Sequence, residues 1–284
     1  MYSQRITRDR KSAIVFMIDQ SASMSGKIRY NSELTTKAEL SCMVINNALH
    51  ELILRCKARD EVYDYLDIAV LGYGGCGIEN RLLKSKFWLT APKLYAMNPK
   101  KIKVSQVREF PDKQKRMFTT MQNRWFEPRC EGVTPMGGAL EVVFRAARGW
   151  CKKNMDSFPL MIINITDGEC NDVSESELEV KANKIKSLAT NDGEVIFLNI
   201  HISNSKSAED VKVLFPSSID ELPELKHARL LYKLSSNMPS FYKGMISEIK
   251  DSSSEAECKA MSFNTSIDDL FSLINIGSVT ISKL

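Results

Sequence analysis

Five consecutive apolar residues, Ile14-Val-Phe-Met-Ile18, end abruptly at Asp19, and two hydroxyls follow at Ser21 and Ser23. An uninterrupted apolar run of this length reads as a strand buried on both faces, because an exposed face would carry polar residues at alternate positions. A sheet buried on both sides needs a layer of helices on each side. That requirement narrows the fold before any other part of the chain is considered.

The rest of the chain supplies the missing layers. Residues 33 to about 57 place Leu34, Ala38, Met43, Val44, Ala48, Leu49, Leu52, Ile53 and Cys56 at the spacing of a long helix with one buried stripe. A strand is expected at Leu66–Tyr73, a helix at Gly138–Cys151, an apolar strand at Pro159–Thr166 and a helix at Glu175–Ala189. Glu194–His201 reads as another buried strand, Arg229–Ser235 as the last one, and about Pro239–Ile249 as a closing helix. Strands alternating with helices predict an α/β fold, a doubly wound, mostly parallel sheet with helices on both faces, in strand order 3-2-1-4-5-6. Residues 1–250 would form this domain. Within it, residues 76–127 exceed what one edge hairpin needs: Phe87–Thr90, Lys101–Val104 and Gln106–Phe110 alternate like strands, and Pro92, Pro99 and Pro111 break the runs. They are expected to be an elaborated edge peripheral to the sheet. Residues 251–284 would form a polar linker and a short amphipathic tail, whose Ile267, Leu270, Phe271 and Ile274 pack back on the domain.

In such a sheet the ligand crevice lies where the strand order reverses, at the carboxyl ends of the first and fourth strands. Asp19 ends the first and Asp167, in Thr-Asp-Gly168, ends the fourth. Thr134, in Gly132-Val-Thr-Pro-Met-Gly-Gly-Ala-Leu140, arrives on the loop before the intervening helix, so Asp19, Ser21, Ser23, Thr134 and Asp167 can converge. Oxygens without His or Cys among them suit a hard cation, Mg²⁺ or Mn²⁺, rather than zinc. Taken singly, the serines could merely cap a helix. That reading does not explain three motifs at neighbouring strand ends. Removing Asp167 from Asp19's side is expected to relieve like-charge repulsion in the metal-free protein.

Asp-x-Ser-x-Ser, then Thr-Pro-x-Gly-x-Ala-Leu, then a strand ending Thr-Asp-Gly resembles the metal-ion-dependent adhesion site of von Willebrand factor type A domains, over roughly residues 12–250. Ala22 stands where that family often has Gly. The resemblance implies a non-enzymatic protein-interaction module whose ion accepts an Asp or Glu carboxylate from another protein. Gln20, Met24 and Glu169 would lie on the partner-facing rim beside the metal. Bacterial cytoplasmic relatives of this kind, of the tellurium-resistance type, imply a stress or signalling setting with a protein kinase or phosphatase as partner.

Other functions leave weaker traces. No Walker loop, Gly-x-Ser-x-Gly or Asp-x-Asp pattern is present, so no catalytic residue is assigned, and a Mg²⁺-dependent phosphohydrolase stands second. Gly72-Tyr-Gly-Gly-Cys-Gly77 matches a nucleotide-binding spacing, but no clear amphipathic helix follows it, and it reads as a flexible exit from a strand. Residues 76–130 hold 13 Lys and Arg against 4 acids, and Lys100, Lys101 and Lys103 could touch nucleic acid; lysines also guard exposed edge strands. Seven cysteines with no Cys-x-x-Cys suggest neither a disulfide framework nor a zinc site. No signal peptide or membrane span is read, so a cytoplasmic location is expected.

Overall fold

The computed structural model describes residues 2–30, 33–109, 115–208, 210–250 and 257–265. Eight strands form the main sheet: β1 Ser12–Gln20, β2 Leu66–Gly74, β3 Gly77–Asn80, β4 Leu89–Thr90, β5 Met161–Thr166, β6 Ile196–His201, β7 Val213–Leu214 and β8 Met261–Phe263. Their order across the sheet is β7-β8-β6-β5-β1-β2-β3, with β4 also paired to β2. The five central strands are parallel, while β3, β4 and β7 run antiparallel at the edges. Counted from the β3 side, this is the expected 3-2-1-4-5-6 order with β7 added beyond it.

Alternation along β1 sends its side chains to opposite layers. Ile14, Phe16 and Ile18 pack into a core with α1 (Lys37–Cys56), α2 (Ala91–Tyr95) and α6 (Lys243–Lys250). Ala13, Val15 and Met17 face α3 (Met136–Lys153), α4 (Glu175–Lys186) and α5 (Lys226–Leu234). All nine residues of β1 are buried, so the first strand is the spine of the molecule. A buried polar line crosses the sheet beside it: the Tyr73 hydroxyl donates to Asn164 (2.8 Å), Asn164 to Asn199 (2.9 Å) and Asn199 to the Ser235 hydroxyl (3.0 Å). Each buried amide finds its partner only in one register, which fixes β2, β5 and β6 against one another.

Several expectations are corrected. Arg229–Ser235 is not a strand but most of α5, because Ala228, Leu231 and Leu234 follow a three-residue step that lays one helix face on the sheet. The last parallel strand is Met261–Phe263, inside what the sequence assigned to linker and tail. The tail positions Ile267, Leu270, Phe271 and Ile274 lie outside the described residues. The long helix starts at Lys37 rather than at residue 33, because the Thr36 hydroxyl caps it by accepting from the Glu39 amide. Residues Glu33–Thr36 instead pair with Lys27–Tyr30 in a small hairpin.

The 76–127 segment is only partly peripheral. β3 and β4 extend the sheet, and Leu89, Leu94 and Phe126 are buried in its core. The long hairpin Lys100–Glu109 and Lys115–Arg124 pairs with itself and lies on α1, where the Gln122 amide donates to the Met43 carbonyl at 3.0 Å. The glycine-rich Gly72–Gly77 runs along β2 and turns into β3, with a positive φ of 91° at Gly77, so no helix follows it.

Candidate metal centre

Asp19 is the penultimate residue of β1 and has no solvent exposure. Its Oδ1 accepts from the Ser21 amide (2.9 Å) and the Ser21 hydroxyl (2.6 Å), and its Oδ2 accepts from the Thr166 hydroxyl (2.6 Å). The Ser21 and Ser23 hydroxyls lie 3.0 Å apart. The oxygens of Thr166, Asp19, Ser21 and Ser23 are therefore one continuous chain at the ends of β1 and β5, with the Asp167 carboxylate at the end of β5.

Thr134 enters from the side. The Gly132 carbonyl accepts from the Ala22 amide (3.0 Å), joining its loop to the serine loop. Asn171 then holds Thr134 in both directions: Asn171 Oδ1 accepts from the Thr134 amide (3.0 Å), and the Asn171 amide donates to the Thr134 carbonyl (3.1 Å). Asp172 closes the same junction by accepting from the Gly137 (3.0 Å) and Gly138 (2.7 Å) amides, capping α3 where Pro135 offers no side-chain cap. A side chain on Gly137 would run into Val173, so the small residues let this clamp form.

Asp167 meets a cation that the sequence did not suggest. Lys37, the first residue of α1, is 3% exposed and places Nζ 2.7 Å from Asp167 Oδ2. Burial alone would raise the Asp167 carboxyl, but the hydrogen bonds from Lys37 and Ser23 and the Lys37 charge outweigh it and hold the group below the usual carboxylate range. Asp19 goes the other way: burial first, and then the Asp167 charge, push its carboxyl up to about 6. His201 at the end of β6 bonds the Asp167 carbonyl through Nε2 at 2.8 Å, and burial lowers it to about 4, so it is a neutral support.

Two oxygens of the cluster are buried without a hydrogen-bond partner, Thr134 Oγ1 and Asp167 Oδ1. A buried acceptor left unpaired costs free energy on the order of 1–3 kcal/mol, and a hard cation drawing on both atoms would remove that cost. The donor set fits Mg²⁺ or Mn²⁺ in chemistry, with two carboxylates and three hydroxyls. Among the described residues no group of three or more His, Cys, Asp and Glu gathers, so hydroxyls have to complete any metal sphere.

The rim differs from expectation. Gln20 and Met24 are buried, at 4% and 0% exposure, so neither offers a side chain to a partner. The Gln20 amide fills the space left by Gly72, and Met24 points into the core from a short 3-10 turn. Glu169 is half-buried and stays on the rim. Val133, next to Thr134, is 61% exposed and was not anticipated there. Lys100, Lys101 and Lys103 are on the long hairpin, with Lys100 paired to Glu127 (3.2 Å), and they are not among the residues that build the cluster. Thr166, Asn171 and Lys37 also went unread. Thr166 stands beside Asp167 in the Thr-Asp-Gly motif, and Asn171 shares the short loop with Glu169, so proximity was the available signal for both.

No family model and no curated protein matches this chain. Among solved structures it is similar to a von Willebrand factor type A protein from Catenulispora acidiphila, at 14% identity and a TM-score of 0.40, over 69% of this chain and 34% of that one. It is also similar to an uncharacterized membrane-spanning protein from Vibrio fischeri, at 10% identity and a TM-score of 0.27, over 68% and 71% of the two chains. The chain thus spans about a third of the length of the first of these. No helix among the described residues is long and apolar enough to cross a membrane.

Proposed function

We propose that this protein is a non-enzymatic, metal-dependent interaction module of the von Willebrand factor type A kind. Asp19, Ser21, Ser23, Thr134 and Asp167 would hold Mg²⁺ or Mn²⁺, and the ion would supply an electrophilic open position for an Asp or Glu carboxylate of another protein. The observation that carries this reading is the pair of buried, unpartnered oxygens on Thr134 and Asp167, set where the strand order of the sheet reverses. Around them the chain's own groups do the positioning. Thr166 and the Ser21 amide fix the Asp19 carboxylate, Asn171 fixes Thr134 while Asp172 holds the start of α3 just after it, and His201 fixes the backbone of Asp167. In this reading the ion bridges two proteins, which needs an open coordination position but no nucleophile or general base. The motif resemblance adds a cytoplasmic bacterial stress or signalling complex, with a protein kinase or phosphatase as partner.

An ion that binds only the folded state stabilises it by RT ln(1 + [L]/Kd). Millimolar Mg²⁺ or Mn²⁺ should therefore raise the melting temperature over an EDTA-treated sample, and a partner captured in a pull-down should be released by EDTA. Identical melts together with no heat of binding in calorimetry would remove the metal from this reading. Metal-dependent hydrolysis by the purified wild type would remove the binding-module assignment.

A further inference from the structure

We infer that Lys37 is a built-in cation that occupies the Asp167 side of the metal centre and has to withdraw before a divalent ion can load fully. This rests on the metal-binding reading above. Lys37 and Asp167 are both nearly sealed from solvent, with side chains 4% and 8% exposed, and their 2.7 Å contact uses one of the two Asp167 oxygens. The remaining oxygen, Oδ1, is the unpartnered one. Half of the carboxylate is thus taken by the ammonium and half is left open.

The lysine is led there by its surroundings. Thr36 caps α1 so that Lys37 opens the helix, and the Lys37 amide donates to the Gly26 carbonyl at 2.9 Å. Gly26 lies against its stem: a Cβ there would meet Lys37 Cε at 3.0 Å and Asn204 Nδ2 at 2.7 Å. A lysine at the start of a helix gains nothing from the helix dipole, which favours anions at that end. Its buried place is instead accounted for by Asp167, the residue with which it forms its ion pair.

Charge couples the two cations. Two carboxylates and one ammonium leave the cluster with a formal charge of −1. A divalent ion entering beside a retained ammonium would meet a repulsion that low-dielectric surroundings strengthen. Ion entry is therefore coupled to ammonium exit, and the protein's affinity for free Mg²⁺ is set below that of the bare oxygen cluster. A partner carboxylate that completes the ion's shell makes up the difference, so loading with metal and binding of partner become cooperative.

Mn²⁺ binding to the full-length chain, followed by electron paramagnetic resonance, tests this directly. Lys37→Met keeps the stem and removes the charge, and it should bind Mn²⁺ about tenfold or more tighter than wild type, whereas Lys37→Arg should bind no tighter. Lys37→Gln, which still donates to Asp167, replaces the Met variant if circular dichroism shows that the latter does not fold. On the unaltered protein, acetic anhydride labelling of Lys37, read by mass spectrometry, should rise when saturating Mn²⁺ is added. Equal or weaker Mn²⁺ binding by the neutral variant, or labelling unchanged by saturating Mn²⁺, overturns the inference while leaving the metal site standing. Absence of Mn²⁺ binding in wild type and neutral variant alike overturns both.

Discussion

Asp167 and Lys37 bury an ion pair, and its energetics reverse one expectation from sequence. Two carboxylates side by side suggested that Asp167→Ala would relieve repulsion. With Lys37 2.7 Å away, the substitution instead strands a buried ammonium, which costs about 3–5 kcal/mol. Urea denaturation of EDTA-treated protein should show Asp167→Ala clearly less stable than wild type. Asp19 gives a pH signature of its own. Its folded carboxyl titrates at about 6 against a usual 3.8, so between those values the folded state holds more protons than the unfolded one. Stability from this group is highest in acid and falls as pH rises through that window, by roughly 3 kcal/mol. His201, lowered to about 4 from 6.5, holds fewer protons when folded and contributes the opposite slope over nearly the same range. The two cancel in the metal-free wild type. In Asp19→Asn only the His201 slope remains, so the stability of that variant relative to wild type should climb between pH 4 and pH 6. A flat difference curve would mean that Asp19 is not buried as described. None of this was legible in the sequence, because a lysine opening a helix looks like any exposed lysine until the fold places it opposite a carboxylate.

At the scale of elements, legibility followed chemistry. β1, β2, β5 and β6 were readable because both of their faces are buried, which leaves long apolar runs, and Asp19 and Asp167 stood out because they follow two of those runs. α5 was misread because Leu230-Leu-Tyr-Lys-Leu234 is too short for period alone to separate strand from helix. β8 was missed because three residues, one of them a serine, are too short to carry a pattern. The clamp between the Thr134 loop and the loop after β5 joins elements that lie far apart in sequence. Removing it should be felt twice. Asp172→Ala is expected to cost about 1–2 kcal/mol as a lost helix cap and, by loosening Thr134, to weaken Mn²⁺ binding as well. Calorimetry showing lower stability with unchanged metal affinity would separate the cap from the site.

The whole molecule closes late in the chain. β8 sits between β6 and β7, and Phe263 is fully buried against the ring of His201, with ring centres 4.9 Å apart. Phe263→Ala should cost about 3–5 kcal/mol, measured as a shift in the urea midpoint, although the residue lies beyond the stretch that sequence assigned to the domain. A shift under about 1 kcal/mol would show that the sheet does not depend on its last strand.

On the opposite flank, Gly75 and Gly132 bring two main chains into contact, and the Gly75 amide donates to the Glu131 carbonyl at 2.6 Å. Side chains between two segments can absorb a displacement by changing rotamer. At the glycines themselves there are none, but beside them Cys76 bonds Glu131 (2.6 Å) and Arg129 pairs with Glu79 (2.5 Å). A displacement of the Thr134 loop would therefore reach the turn between β2 and β3 through backbone contact as well as through these side chains. A side chain at either glycine would push these two backbones apart, so the position of the Thr134 loop depends on both residues staying without one.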